Sequence, residues 1–303
     1  GAAGKGMKLY EYIGKLYGIT PNVMPLPLAN VINGGKHAGQ ENDIQEHMII
    51  PTGAKHIRDA IEMESEIYHY LGKNLKKRFG SSGLLIGDEG GYAPAQLKTM
   101  QERFDAMLKA IKQAGYEGKV KLGIDAAASE FFSNGKYTLG GKTYTADKLA
   151  QFYEDICDLY PLISIEDPFA EDDWGNWQLL THRLGKKIQI VGDDLLVTNV
   201  KRIQKGVVLG AANAVLIKVN QIGTVSETLD AIKLAQKEKW GCIISHRSGE
   251  TEDSFIADLA VGTNAGQSKF GAPARSDRNA KYNQLLRIEE DLGSRGKYFG
   301  KHL

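Results

Sequence analysis

The stretch Ala214-Val-Leu-Ile-Lys-Val-Asn220 decides how the rest of the chain reads. Four apolar residues run straight into Lys218, and Gln221-Ile-Gly223 then turns the chain into a new helix. An apolar run this short, rich in branched residues and bounded by a turn, is the pattern of a strand buried on both faces. The lysine at its far end is either a snorkelling surface cation or a functional amine at the mouth of a parallel sheet. A lone lysine favours the first reading; recurrence of the pattern along the chain favours the second.

Similar runs stand at Leu84–Ile86, Val120–Ile124, Leu162–Ile165, Ile188–Val191, Cys242–Ile244 and Gln267–Gly271. Helical spacing of apolar residues separates most of them, at Met100–Ala114, Asp147–Leu159, Trp177–Leu184, Asn199–Gly206, Val225–Glu238 and Asp253–Ala260. Strand, helix, strand repeated in this way predicts parallel βα units. The opening differs. A strand from Leu28 through Val31-Ile32 and a second over Asp43–Pro51 are separated only by Lys36–Asn42. A parallel crossover needs a dozen residues or more, so this pair should be antiparallel. His56–Arg78 then reads as a long helix. Nine candidate strands are one too many for an eight-stranded barrel, and Leu84–Ile86 is the shortest and weakest. The pattern points to an α/β modified (β/α)8 barrel, with an open doubly wound sheet as the alternative.

What closes each run is more telling than the runs. Ile86 leads to Asp88-Glu89, Ile124 to Asp125, Ile165 to Glu166-Asp167, Val191-Gly192 to Asp193-Asp194, Ile217 to Lys218, Ile244 to Ser245-His-Arg-Ser248, and Ser268 to Lys269. In a barrel these positions converge on the carboxyl-end face, where active sites form. One acid at a strand end is ordinarily a helix cap; seven charged closures in succession are not explained that way. Asp125, Glu166 and Asp193 fall on neighbouring strands. Three carboxylates about 5 Å apart repel by roughly 3 kcal/mol per pair at an effective dielectric of ~20. The sum, about 10 kcal/mol, rivals the ~5–15 kcal/mol stability of a whole domain. Such a cluster must hold a cation or protons, and all-oxygen donors favour Mg²⁺ over zinc.

Opposite the acids stand Lys218 and Lys269. Two ammonium groups near a divalent ion are expected to depress each other's pKa and leave one as a neutral base. His246-Arg247-Ser248 offers a bidentate cation with hydroxyl and imidazole donors, suited to a phosphate. Glu46 and Glu89, two carboxyls side by side, suit a general acid. Together these suggest proton abstraction beside a carboxylate, with a metal holding the charge that develops.

Composition bounds the alternatives. The 303 residues are 42% hydrophobic and 25% charged with formal net charge +1, ordinary globular values that leave no electrostatic footprint for nucleic acid or an anionic membrane. No apolar run approaches the ~20 residues of a membrane span. Cys157 and Cys242 lack metal-type spacing and read as reduced core thiols of an intracellular protein. Two features look functional and are not. Gly135–Thr143 resembles a phosphate-binding loop but carries an extra glycine and no buried strand before it; Tyr137-Thr-Leu139 reads as half of a small hairpin. His56 and His69 are too isolated to bind a metal.

The motifs Asn33-Gly-Gly-Lys-His-Ala-Gly39, Gly87-Asp-Glu-Gly-Gly91, Ser164-Ile-Glu-Asp-Pro168, Asp193-Asp-Leu195, Leu216-Ile-Lys-Val-Asn-Gln-Ile-Gly223, Ser245-His-Arg-Ser-Gly-Glu-Thr-Glu252 and Gly271-Ala-Pro-Ala-Arg275 resemble the enolase family, across essentially the whole chain from Met7. The resemblance implies a barrel beginning ββαα and continuing (βα)6, with an antiparallel second strand and Gly87–Gly91 in a loop between two helices. It implies reversible dehydration of 2-phosphoglycerate to phosphoenolpyruvate in glycolysis and gluconeogenesis. In that scheme Lys218 takes the C2 proton and Asp125, Glu166 and Asp193 hold the first Mg²⁺ on the substrate carboxylate, beside Lys269. Glu89, paired with Glu46, protonates the leaving hydroxyl. Arg247 and Ser248 bind phosphate, His37 arrives on the glycine-rich loop Gly34–Gly39, and Gln45, Ser245 and His246 lie nearby. A cytoplasmic homodimer is the family expectation.

His47, Ser268 and Phe270 depart from the family pattern without replacing a site residue. Residues 1–20, with a helix over Met7–Leu16, read as the remnant of a preceding domain, and 21–303 as the catalytic barrel. The family's N-terminal domain supplies a serine to a second Mg²⁺, so the sequence given is expected to bind the first metal and turn over poorly. Two rival readings remain from the residues: a racemase or cycloisomerase of the same superfamily, which needs no phosphate grip, and a non-catalytic surface role through lysines.

Overall fold

Leu26–Pro27 and Ala29–Asn33 are two halves of one strand, β1, and their pairing with different neighbours closes the sheet. The computed structural model of the chain describes residues 1–302. The first half of β1 pairs parallel with β8 (Gly266–Lys269), with Leu26 opposite Gln267, and the Leu28 amide donates to the Ser268 carbonyl at 2.8 Å. The second half pairs antiparallel with β2 (Glu46–Ile50), Asn33 opposite Glu46. From β2 the ring continues antiparallel to β3 (Lys121–Asp125), then parallel through β4 (Leu162–Glu166), β5 (Gln189–Gly192), β6 (Ala214–Ile217) and β7 (Gly241–Ser245) to β8. Eight strands form a closed ring because the first meets the last; an open doubly wound sheet would leave both unpaired.

The short link between β1 and β2 forces the antiparallel pair, as the loop length predicts. Two helices follow β2, Ile57–Phe79 and Met100–Gln113, and one long helix follows each later strand: Ala146–Leu159, Trp174–Leu184, Val200–Leu209, Val225–Lys237 (after the single turn Val219–Ile222), Phe255–Gly262 and Ser276–Leu292. Side-chain caps start several of them: Thr99, Thr145, Asn199 and Thr224 each accept an amide of the first turn. Leu26, Leu28, Met48, Ile50, Val191, Ala214, Leu216 and Ile243 form one buried apolar cluster of strand residues. A larger apolar layer joins the strands to the helices.

Two elements differ from the sequence reading. Leu84–Ile86 is no strand: Gly80–Leu84 is a 3-10 turn, and Ile86 makes a single bridge to Tyr92. Those three residues are exposed by 36, 62 and 44%, so the run lacks the burial that a central strand has. The helix Ser276–Leu292 has no counterpart among the helices read from the sequence. Its inward face carries Arg278 and Lys281 beside Tyr282, Leu285 and Ile288, so charged residues interrupt the apolar period there. The segment resembling a phosphate loop is a small antiparallel sheet of Phe132–Ser133, Lys136–Leu139 and Lys142–Tyr144.

The helix Leu9–Tyr17 lies on Phe255–Gly262, where a Cβ at Gly262 would come within 2.7 Å of Ile13 Cβ. Among the described residues no helix is long and apolar enough to cross a membrane. Cys157 and Cys242 are free, and burial pushes both thiols up to about 12.

His47, on β2, is fully buried with its ring edge-on to Phe104 at 5.8 Å. Burial first, then the nearby Arg103 charge, hold its pKa well below the ordinary value. A depressed histidine binds fewer protons folded than unfolded, so its contribution is complete above the unfolded pKa of ~6.5 and is lost as pH falls below it. Urea unfolding at pH 7.5, 6 and 5 is therefore expected to show His47→Met gaining on the parent by about 1.4 kcal/mol per pH unit below pH ~6.5. Parallel curves for the two proteins would contradict this.

Candidate functional site

The strands deliver their terminal residues to one rim. Asp125 and Glu166 end β3 and β4 as register partners, Asp193 and Lys218 lie one residue beyond β5 and β6, and Ser245 and Lys269 end β7 and β8. Because β2 runs the opposite way, its first residue reaches the same rim, and Glu46 stands opposite Asp125. A cavity of about 510 Å³ opens there, lined among others by Lys36, Gln45, Asp194 and Asn220 together with most of these groups. Glu166 is 1% exposed, bonded to Lys269.

Lys269 is the hub of one side. Its Nζ lies 2.8 and 2.9 Å from the two Glu166 oxygens, 3.0 Å from Glu46 Oε2 and 3.3 Å from Asp125 Oδ2, with the residue only 2% exposed. Lys218 forms a separate ion pair with Asp193, which also accepts from Gln221 Nε2 at 2.9 Å. The Lys218 amide donates to Thr198 Oγ1 at 2.9 Å. Gln45 Nε2 reaches Asp125 Oδ2 at 3.4 Å. The expectation of a neutral amine concerns the site with a divalent ion among the acids; with the carboxylates alone both amines are held charged. Burial alone would lower both lysines, but Asp193 holds Lys218 above its ordinary pKa, and Glu166 and then Glu46 do the same, more strongly, for Lys269. At each ammonium the carboxylates beside it outweigh burial, and at Lys218 they outweigh Lys269 as well.

The acids respond in kind. Burial and then Asp125 push Glu166 well above the carboxylate range, against Lys269. Burial and then Asp193 push Asp194 to about 6. Burial would raise Asp193 too, but Lys218 outweighs it and the pKa falls. Buried carboxyls held up by like charge mark a site short of positive charge, and oxygen donors alone suit a hard divalent cation. Asp125, Glu166 and Asp193 fit Mg²⁺ in this sense. Among the described residues the trios whose ligand atoms lie within 4.8 Å of one another are His37, Glu46 and Glu89, and Asp167, Asp193 and Asp194; Asp125, Glu166 and Asp193 do not form such a trio, with Lys269 on the first two and Lys218 on the third. Asp167 already accepts the Asp193 and Asp194 amides at 3.0 and 2.9 Å.

The second side gathers His37, Glu46, Glu89, His246, Arg247 and Ser248. His37 Nδ1 lies 3.7 Å from Glu46 Oε1 and 3.8 Å from Glu89 Oε1. Ser248 Oγ lies 2.9 Å from His37 Nε2 and donates to Glu89 Oε1 at 3.3 Å. His246 Nε2 stands 3.5 Å from the same Glu89 oxygen. Arg247 Nη1 donates to Asn220 Oδ1 at 2.8 Å, which turns it toward the Lys218 side. Ser245 Oγ donates to the His246 carbonyl at 2.9 Å and is a support rather than a cavity donor. His37 rides on Gly35–Ala38, a turn that only glycine permits before it, because a Cβ at Gly34 would lie 2.3 Å from the Ile44 carbonyl oxygen.

The two carboxyls of this side are not equivalent. Burial, then the Glu89 charge, raise Glu46 well above the ordinary range. Burial acts likewise on Glu89, yet His246, Lys269 and His37 outweigh it and hold Glu89 well below. Within the pair Glu46 is pushed up and Glu89 held down; the sequence reading has Glu89 as the acid with Glu46 beside it.

Several contributors escaped sequence reasoning. Asn30, fully buried on β1, donates to Glu89 Oε2 at 2.9 Å. Lys36 pairs with Glu130 across the mouth of the cavity. Arg278 and Lys281 bind the backbone of the Arg247–Thr251 loop from below. Polar residues inside a run that otherwise reads as core, such as Asn30 and Asn33 in Ala29–Asn33, are the one signal that was available.

A family model described as enolase, C-terminal TIM barrel domain, matches residues 21–303. Among curated proteins the chain is similar to the enolase of Thermococcus gammatolerans, 54% identical over 300 residues that cover 98% of this chain and 69% of that protein. The enolases of Pyrococcus furiosus and Thermococcus kodakarensis are also 54% identical, over 97% and 98% of this chain and 69% of each relative.

Removing the hub tests the electrostatics. Lys269→Met leaves Glu46, Asp125 and Glu166 buried without their shared cation, and breaking a buried pair from one side costs about 3–5 kcal/mol. Urea denaturation at pH 7 without divalent ions should show a loss of that size; a loss below about 1 kcal/mol would mean the acids find charge elsewhere.

Proposed function

The chain belongs to the enolase family, and from that premise we propose that its rim cavity dehydrates 2-phosphoglycerate reversibly to phosphoenolpyruvate, with Lys218 taking the C2 proton and the Glu46–Glu89 pair supplying the proton that leaves with the hydroxyl. Enolases are carbon–oxygen hydro-lyases of glycolysis. The observation that carries the residue assignment is the position of base and acid on the ring. Lys218 follows β6 and Glu46 starts β2, four strands apart in a ring of eight and therefore across the cavity from each other. A base and an acid on opposite sides of the cavity suit removal of H from C2 and OH from C3 by two separate groups, each within reach of its own proton.

Lys218 Nζ takes the C2 proton, the electron pair of that C–H bond moves onto the substrate carboxylate, and it returns to form the C2–C3 double bond when the C3–O bond breaks in a second step. The hydroxyl departs as water with the proton that Glu46 holds, passed through Glu89, whose Oε1 lies within reach of Ser248 and His37. Lys218 is a base only while Asp193 is engaged elsewhere, because their ion pair keeps the ammonium charged. Mg²⁺ held by Asp125, Glu166 and Asp193 would supply positive charge for the substrate carboxylate and for the negative charge that develops on it. Lys269 adds to that charge from a fixed position. Arg247 and Ser248 grip the phosphate, with His37 closing over it on the Gly34–Gly39 loop. Gln45, Ser245 and His246 hold the surroundings.

We extend the reading to a cytoplasmic homodimer in which residues 1–20 belong to a preceding domain and 21–303 form the catalytic barrel. A second Mg²⁺ depends on a serine outside residues 1–303. The polypeptide of residues 1–303, assayed alone, is accordingly expected to bind one Mg²⁺ by calorimetry and to turn over far more slowly than an intact relative; equal rates would contradict this.

General-base contributions are about 10²–10⁴-fold, so Lys218→Ala should lower kcat by that factor while Mg²⁺ binding persists. Formation of phosphoenolpyruvate, followed by its absorbance, measures the first and calorimetry the second. A rate within tenfold of the parent would remove Lys218 from the role. In the same assay 2-hydroxy acids without a phosphate should not react; turnover of plain hydroxy acids would count against the Arg247–Ser248 grip.

A further inference from the structure

The last helix turns two cations inward three residues apart, on one face. Arg278 and Lys281 both have fully buried side chains. A buried guanidinium is tolerated only when its donors find partners, and Arg278 finds them on two different loops. Its Nη1 donates to the Arg247 carbonyl at 2.6 Å and lies 2.6 Å from His246 Nδ1. Its Nη2 donates to the carbonyls of Ser248 at 2.6 Å and Asp88 at 3.0 Å. Its Nε lies 3.0 Å from Asp277 Oδ2 as an ion pair without a formed hydrogen bond. Lys281 continues the same work, bonding the Thr251 carbonyl and pairing with Glu250 at 3.1 Å.

The chemistry of this contact is one-sided. A guanidinium has donors and no acceptor, so His246 Nδ1 must offer its lone pair, and the single proton of the neutral ring is on Nε2. That nitrogen lies 3.5 Å from Glu89 Oε1 without a formed hydrogen bond to it. Burial carries the imidazole down to about 4 against the pull of Glu89, which keeps it neutral at pH 7. The junction has no slack. Gly271 passes through it at φ +84°, and a Cβ there would lie 2.7 Å from the Glu89 carbonyl oxygen, 3.0 Å from Arg278 Cδ and 3.1 Å from His246 Cε1.

We propose that Arg278 is a positioning residue for the dehydration: it fixes His246 as the Nε2–H tautomer facing Glu89, and it sets the spacing between the Asp88–Glu89 loop and the Arg247–Ser248 loop. The proposal rests on the reading above, in which those loops serve the leaving hydroxyl and the phosphate. Arg278 touches neither; it acts through His246 and through three carbonyls, so one side chain couples the placement of the acid to that of the phosphate grip. Lys281 anchors the far end of the second loop.

The test begins with the unaltered protein. Long-range ¹⁵N–¹H spectra of histidine-labelled protein with Mg²⁺ should show the His246 ring neutral and protonated at Nε2 between pH 6 and 8. A ring protonated at Nδ1, or an imidazolium, overturns the proposal without any variant. Arg278→Gln should then give a mixture of tautomers, a kcat lower by about 10²-fold and a raised KM, since misplacing reacting groups by about 1 Å costs that much. Arg278→Lys keeps the charge but cannot reach both loops at once, so it should fail to restore kcat; added guanidinium should restore part of the rate of Arg278→Gln. Parental kcat and tautomer in both variants would sink the positioning role. Glu89→Gln, assayed alongside, separates the two readings. If it is fully active, the assignment of the acid is wrong; if it is inactive while the Arg278 variants are normal, only the present proposal falls.

Discussion

The molecule turns on the burial of acidic side chains around two ammonium groups. Glu46, Asp125 and Glu166 share Lys269, and Asp193 is held by Lys218, all at one end of the barrel and all at most 5% exposed apart from Lys218. Charges so placed are unstable alone. At an effective dielectric of ~20 a pair of carboxylates 5 Å apart costs roughly 3 kcal/mol. The lysines relieve part of this, and the carboxyls whose pKa stays high show that relief is incomplete. A divalent cation among the acids would bring the positive charge still lacking there.

The closed ring makes that arrangement possible. Eight strand ends in a circle put groups from distant parts of the sequence within one cavity, and the reversed β2 adds Glu46 from a strand start. β1 closes the ring by pairing with β8 through Leu26–Pro27 and with β2 through Ala29–Asn33. Outside the ring, helices and loops adjust what the strands supply. Asn30 steadies Glu89, Thr198 steadies Lys218, and Arg278 ties together the two loops that face them.

Much of this was legible in the sequence because strand ends are simple to read. Short apolar runs closing on Asp125, Glu166, Asp193, Lys218 and Lys269 announced both the barrel and its rim, and the seven residues between the first two strands announced the antiparallel pair. The helix Ser276–Leu292 was not legible, since its inward face carries Arg278 and Lys281, whose partners are backbone carbonyls that no pattern encodes. Leu84–Ile86 misled for the converse reason, an apolar run whose neighbours leave it in solvent. Protonation states were also out of reach. Which of Glu46 and Glu89 keeps the proton depends on His246 and Lys269 in space, and whether Lys218 is charged depends on Asp193.

The central claim, that Lys218 is the base at this rim and the Glu46–Glu89 pair the acid, separates two bond-breaking events on two sides of one cavity. Exchange of the C2 hydrogen of 2-phosphoglycerate with D₂O, followed by NMR in the presence of Mg²⁺, addresses the first event alone. The account predicts that Glu89→Gln still exchanges C2 hydrogen while forming no phosphoenolpyruvate, and that Lys218→Ala does neither. Exchange persisting in Lys218→Ala would contradict it.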